Sequence, residues 1–440
     1  MLERLFRLSE FGTTVRTEIL AGVTTFMTMA YIIVVNPVIL CTNSQHPGPP
    51  FAATVTATCL AAAIPTLLMG LWANYPIALA SGLGLNSALI TSVGTLPGAT
   101  WQAMMGVIFV EGMIVALLVL TGLREKVMHA IPMDLKRAIG VGIGLFIALL
   151  GLHNAHWMSS TSAVGGVPMT APPIGNFHVP TTLLATFGIL LTFWLVTRRT
   201  PGALLIGMVA TTLVAFATGL ARPPEAVVAP PDFSTIGKLD VMAALQPALL
   251  GAVFAFLIVD FFDTMGTVIA LGEQSGRMQP DGTLPGLKRV LFTDSLAAMW
   301  GGFCSASSVT SYIESASGVG AGGRTGLTSV TVGVLFLCAL VLAPLAQAVP
   351  AEATAAALIV VGFMMMSVVR DIDFSRYATA VPAFLILLVI PLTQSISRGI
   401  GIGFISYALL QTMSGRPREV SGVLWVLALL FGLSFWLEGR

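Results

Sequence analysis

Ser305-Ala-Ser-Ser-Val-Thr-Ser-Tyr-Ile-Glu314, trailed by Gly318, Gly320, Gly322 and Gly323, and far upstream Ala80-Ser-Gly-Leu-Gly-Leu-Asn-Ser87, decide the fold. Both lie in apolar surroundings, yet neither reads as a plain helix. Glycine weakens a helix, and Ser/Thr/Val runs favour extended backbone. Extended backbone at membrane depth leaves N–H and C=O groups unpaired, which only a protein-lined cavity tolerates. Close packing of Gly/Ser-rich helices is the plainer explanation of either stretch alone. Two interruptions at matching places in two halves of one chain point instead to a transport site.

The rest of the chain supplies the membrane. Of 440 residues, 56% are hydrophobic and 9% charged, against about 25% charged in a soluble domain. Runs of the length a bilayer requires recur at Ile19–Leu40, Phe51–Ala73, Ala103–Gly122, Leu204–Leu220 and Leu327–Ala348. The pattern predicts an all-α polytopic membrane protein with 14 transmembrane segments: 17–39, 51–73, 77–96, 102–122, 136–153, 178–197 and 202–221, then 242–270, 289–303, 304–322, 326–348, 353–369, 378–396 and 398–413. An odd number in each half makes a 7+7 inverted repeat, with spans 3 and 10 the broken ones. Val423–Leu437 is a short further span or an interfacial helix, and the sequence leaves both open.

Charge sets the orientation. With the N-terminus cytoplasmic, Arg4, Arg7, Arg16, Arg124, Lys126, Lys136, Arg137, Arg198, Arg199, Arg277, Lys288, Arg289, Arg324, Arg370, Arg376, Arg416 and Arg418 fall inside, while Arg222, Lys238 and Arg398 fall outside. The N-terminal lead is amphipathic and lacks the cleavage pattern of a signal peptide. A net charge of +1 gives no sign of a nucleic-acid partner. Cys41, Cys59, Cys304 and Cys338 are scattered and read as packing residues, and His153 and His156 as a solvated rim. No metal-ligand spacing, HExxH or GxSxG is present, so the expectation is a transporter without a cofactor or metal, not an enzyme.

Five acids stand inside predicted spans and away from their edges: Glu111, Asp260, Asp263, Asp294 and Glu314. A charge at the bilayer centre costs about 2.5–3.5 kcal/mol on insertion scales, so each needs a reason. At 100° per residue Asp260, Asp263, Thr264 and Thr267 share one helical face, which must look into protein or water. Two acids three apart repel, which makes them candidates for holding and releasing a proton as well as for binding. Glu314 follows the second extended stretch, where a helix start favours negative charge and a carboxylate can accept ring N–H groups. Glu111 has no polar face around it and reads as structural. Asp294, beside Thr293 and Ser295, is expected to buttress the site, with Ser311 and Tyr312 as further supporting residues.

At these residues the chain resembles the AzgA-like adenine/guanine/hypoxanthine permeases of the nucleobase–cation symporter group. The matching stretches are Arg16-Thr-Glu-Ile-Leu-Ala-Gly-Val-Thr-Thr-Phe-Met-Thr-Met-Ala-Tyr-Ile-Ile-Val-Val-Asn-Pro37, Gly82-Leu-Gly-Leu-Asn86, Asp263-Thr-Met-Gly-Thr267 and Thr310–Thr328. The resemblance implies a mobile core of spans 1–4 (17–122) and 8–11 (242–348). It implies a gate of spans 5–7 (123–221) and 12–14 (349–413), with a lead at 1–16, an extracellular linker at 222–241 and a tail at 414–440. It also implies alternating access of the elevator type, purine uptake driven by protons, a homodimer, and a place in the plasma membrane (the inner membrane of a Gram-negative cell). Carried over by position, substrate contacts fall on Gly84, Asn86, Asp260, Asp263 and Glu314. Relatives commonly read Ala-Pro-Gly-Met-Gly-Leu-Asn-Ala with an aromatic soon after; here Ser81, Leu83 and Ser87-Ala88-Leu89 replace parts of that pattern. A missing ring beside the pocket bears on which base stacks there. Xanthine, uracil or an inorganic anion on the same fold is the rival reading.

Overall fold

The computed structural model describes residues 2–41, 48–93, 99–122, 130–158, 174–279 and 284–438. A short α1 (Leu2–Phe6) precedes α2 (Val15–Met29), whose first turn is capped by Thr14 accepting the Thr17 N–H. The predicted span 17–39 does not run straight. It tightens at Ala30 and Tyr31 into i→i−3 bonds before α3 (Ile32–Cys41). Pro37 inside α3 has no N–H for the Ile33 carbonyl and its ring crowds that oxygen, so regular geometry is lost there.

Next come α4 (Phe51–Leu68), with a wide turn at Met69–Ala73, then strand β1 (Leu79–Ser81) and the six-residue α5 (Leu83–Ala88). The end of the predicted span 77–96 lies outside the described residues. Helices α6 (Trp101–Leu120), α7 (Met133–Asn154), α8 (Pro180–Thr197) and α9 (Ala203–Ala217) complete the first half.

The second half starts with α10 (Val241–Ala244) and α11 (Pro247–Gln274), two pieces where 242–270 reads as one, because Pro247 begins a new helix. After α12 (Leu287–Cys304) comes strand β2 (Val309–Ser311), then α13 (Ser315–Gly320), so the predicted span 304–322 holds only seven α-helical residues, the last of α12 and the six of α13. The stretch 326–348 divides into α14 (Gly326–Ala339) and α15 (Ala343–Gln347), with Pro344 at the new start. Helices α16 (Ala351–Met366), α17 (Tyr377–Thr393), α18 (Ile396–Met413) and α19 (Gly422–Glu438) follow.

Six helical stretches among the described residues are long and apolar enough to cross a bilayer, and shorter apolar helices add to them. The chain is a polytopic membrane protein, and its exposed apolar side chains fit a lipid surround: Leu183, Leu190 and Trp194 on α8, Leu213 on α9, and Leu429 and Leu433 on α19. Lipid is as apolar as leucine, so helices in a bilayer associate by close packing and polar contacts rather than by the hydrophobic effect. Glycines provide that closeness. A Cβ on Gly326 would strike the backbone of Gly70, and one on Gly362 would strike that of Gly144.

Two sets of helices result. In one, α2, α4 and α14 pack together, α12 packs on α4 and α6, and α11 on α6. In the other, α7 packs along α16 and α17, α8 and α9 on α16, and α17 on α18. Where the sets meet, α11 touches α7 and α18, and α5 touches α7.

Candidate functional site

The two stretches that interrupt the helices find each other. Strands β1 and β2 pair antiparallel, with Leu79 opposite Ser311, Ala80 opposite Thr310 and Ser81 opposite Val309. Gly82 N–H donates to Ser308 O (2.9 Å) and Tyr312 N–H to Ala78 O (2.9 Å), which extends the ladder at both ends. Each break therefore supplies the hydrogen-bond partners that the other lacks, and all six strand residues are buried.

A polar side chain from the preceding helix holds each strand from outside. On the first side Thr66 of α4 accepts the Leu79 N–H (2.9 Å) and donates to the Leu79 carbonyl (3.1 Å). On the second side Asp294 of α12 accepts from Ser311 N–H (3.0 Å) and Ser311 Oγ (2.9 Å), and its other oxygen accepts from Thr264 Oγ1 (2.7 Å). Asp294 is thus joined to both Thr264 and Ser311. Tyr312 Oη donates to Ser81 O, and Ala78 N–H donates to Ser315 Oγ (3.0 Å).

The approach to β2 is strained. Ser305 and Ser307 have φ of 68° and 70°, a left-handed conformation that costs an L-residue roughly 1–2 kcal/mol. Ser305 Oγ donates to Thr235 O (2.8 Å), which helps fix the turn.

Around the strands lie the singled-out residues. Asp260 is fully buried in α11 and receives Ser308 Oγ at 3.4 Å; Thr264 is buried one turn on, and Thr267 is half-buried. The side chain of Asp263 lies outside the described part of the structure. Glu314 is 5% exposed and accepts from Tyr31 Oη at 2.5 Å. It stands at the N-cap position of α13 without a side-chain bond to that helix, and a phenol from the α2–α3 bend holds it. Asn86 is fully buried in α5 and donates Nδ2–H to Asn36 Oδ1. Gly84 packs against the other helix set: a Cβ there would lie 2.7 Å from Ile143 Cγ2, with Ile147 and Ile396 beyond. Glu111 is fully buried on α6, away from the strand residues in sequence and element.

Sequence reasoning passed over four contributors. Tyr31, Asn36 and Thr66 each contact a break directly. Glu18, fully buried, accepts from the N–H groups of Arg324 (2.8 Å), Thr325 (3.2 Å) and Thr328 (3.2 Å) and from Thr328 Oγ1 (2.6 Å), and so caps α14. The available signal was an isolated amide, Asn36, in the apolar run Ile32–Leu40.

The Xan_ur_permease sequence model, described as a permease family, matches residues 16–402. A putative permease of Methanocaldococcus jannaschii is 46% identical over 100% of this chain and 99% of its own length. The adenine permease AdeP of Escherichia coli is 40% identical over 98% and 95%, and the guanine/hypoxanthine permease PbuO of Bacillus subtilis 40% over 98% and 100%. Among solved structures, the transmembrane domain of the cyanobacterial bicarbonate transporter BicA superposes with a TM-score of 0.64 over 88% of this chain and 97% of that one. At 14% identity that likeness concerns the fold alone. Sequence, fold and relatives agree: this chain is a membrane transporter, not an enzyme, and it belongs to the xanthine/uracil-type permease family, with adenine and guanine/hypoxanthine permeases among its relatives.

Proposed function

We propose that this protein imports purine nucleobases by proton symport, binding the base where β1 and β2 cross. The observation that carries the reading is the set of buried polar groups there. Asn86, Asp260 and Glu314 all lie on or beside the two breaks, inside a membrane protein. A neutral heterocycle rich in N–H donors suits carboxylate and amide acceptors, whereas an inorganic anion would be repelled by them. Relatives named as adenine and guanine/hypoxanthine permeases support the same class of cargo.

In this reading Gly84, Asn86, Asp260, Asp263 and Glu314 contact the base, and Asp260, Asp263 or Glu314 carries the proton. The chain forms 14 spans in two inverted sevens, with the N-terminus cytoplasmic and the protein in the plasma membrane as a homodimer. Spans 1–4 and 8–11 form the moving core, and spans 5–7 and 12–14 the gate. The contact of Gly84 with Ile143 lies between the two helix sets and belongs to the surface along which an elevator slides.

The test is uptake of radiolabelled adenine, guanine, hypoxanthine, xanthine and uracil, with cross-competition, in cells lacking their own carriers. Purine uptake insensitive to excess bicarbonate is expected. Transport of bicarbonate, or of uracil with no purine competing, would overturn the reading.

A further inference from the structure

We infer that Asn36 is a positioning residue: it holds the Asn86 amide with its oxygen left for the ligand, so the site selects bases that offer an N–H donor at that point. The inference rests on the reading that Asn86 contacts the transported base.

The argument starts from a backbone carbonyl. Ala306 O can only accept, so the Asn36 group 3.2 Å from it must be the amide nitrogen. Two hydroxyls reinforce this polarity. Thr58 Oγ1 uses its hydrogen on Thr54 O (2.6 Å) and Ser81 Oγ uses its own on Ala306 O (2.6 Å). Both therefore present lone pairs to Asn36 Nδ2, at 2.8 and 3.3 Å. With Nδ2 committed to three acceptors, Asn36 must turn Oδ1 toward Asn86. The Asn86 group meeting that oxygen must then be its nitrogen. The choice between O and N of an amide, ordinarily assigned from its surroundings, is fixed here by relay from one main-chain oxygen.

Asn86 Oδ1 is what remains. It is buried and has no hydrogen-bond partner among the described residues. A buried acceptor held in one orientation without a donor is costly to the protein and favours a ligand that brings one. A site built to meet an N–H also rejects analogues lacking it far more sharply than an apolar pocket separates neighbours of similar size.

The test is equilibrium competition on the intact protein in membranes, using two pairs of bases that differ by an amino group: adenine against unsubstituted purine, and guanine against hypoxanthine. The unaltered protein should favour the amino-bearing member of at least one pair by about tenfold or more, the scale of leaving one buried acceptor unpaired. In Asn36→Ala the Asn86 amide is free to rotate, and that preference should fall below about threefold while the amino-free base still binds. Asn86→Leu removes the acceptor but leaves the Asn36 bonds to Thr58, Ser81 and Ala306, and should abolish the same preference, which keeps the test open if Asn36→Ala does not fold. Equal weakening of both members with the ratio retained marks Asn36 as merely structural and overturns the inference, as does an unaltered protein that favours neither member. Failure of all four bases to bind the unaltered protein sinks the purine reading itself.

Discussion

Tyr31 and Glu314 are 283 residues apart in sequence, and the Tyr31 hydroxyl donates directly to the Glu314 carboxylate at 2.5 Å. The bond joins the bend between α2 and α3 to the end of the second break, so the acid is oriented by the opposite half of the chain. Glu314→Ala is expected to abolish purine uptake with near-normal membrane expression. Tyr31→Phe should keep the protein folded and cut uptake by about tenfold or more, the scale of one hydrogen bond to a charged group. Initial-rate uptake alongside fluorescence size-exclusion profiles reads both; wild-type rates in Glu314→Ala remove that acid from the site.

Asp260→Asn and Asp263→Asn should fail differently. The residue that contacts the base loses equilibrium affinity, whereas the one that carries the proton retains binding and loses accumulation against a gradient. If both assays are unchanged in both variants, the polar stripe on α11 is structural.

Asp294 holds β2 through two hydrogen bonds from Ser311 and ties it to α11 through a third from Thr264. Asp294→Ala should destabilise the detergent-solubilised protein by about 3 kcal/mol or more, because Ser311 N–H and Thr264 Oγ1 lose their acceptor. Asp294→Asn keeps an acceptor for Ser311 and should cost less. Thr66→Val, its counterpart at β1, removes one neutral side-chain partner of Leu79 and should cost about 1–2 kcal/mol. Thermal unfolding ranks the three; equal midpoints for all would contradict the clamp.

Gly84→Ala places a methyl 2.7 Å from Ile143 Cγ2, inside the contact distance of carbon atoms. Uptake should fall, and the double variant with Ile143→Ala should recover a substantial part of it. No recovery would mean that the defect lies within α5 rather than between the helix sets.

Coupling is read in proteoliposomes with imposed gradients. Uptake should follow a proton gradient, aided by membrane potential if one proton accompanies a neutral base, at about 2.3 kcal/mol per charge per 100 mV. Accumulation driven by sodium at equal pH and indifferent to a proton ionophore would sink proton symport.

Much of this architecture was legible because it has a local cause. Apolar runs announce membrane helices, and the Gly/Ser/Thr stretches at Ala80–Ser87 and Ser305–Thr310 announce interruptions where strands and short helices stand. The acids Asp260 and Glu314 were conspicuous because lipid makes charge costly. The pairing of β1 with β2 was hidden, since three-residue strands carry no register signal of their own. Tyr31, Asn36 and Thr66 were hidden for a related reason. A phenol, an amide or a hydroxyl is tolerable in many places in an apolar helix, and only the partner across the fold gives it a task. The break inside a long span at Leu340–Leu342 depends on Pro344, whose missing N–H leaves the Leu340 carbonyl four residues back without a helical partner.

The strand crossing bears on how the chain is made. Apart from the Leu79 groups that Thr66 holds, the backbone of this stretch meets its partners in residues of the second half, as where Ala78 N–H finds Ser315 Oγ 237 positions later. Synthesis proceeds from the N-terminus, so the first half enters the bilayer before those partners exist. Until β2 and α13 have been inserted, the break in the first half must be shielded by water, by insertion machinery or by a chaperone. An isolated first half is therefore a substrate for membrane quality control, and two separately expressed halves should protect each other from degradation.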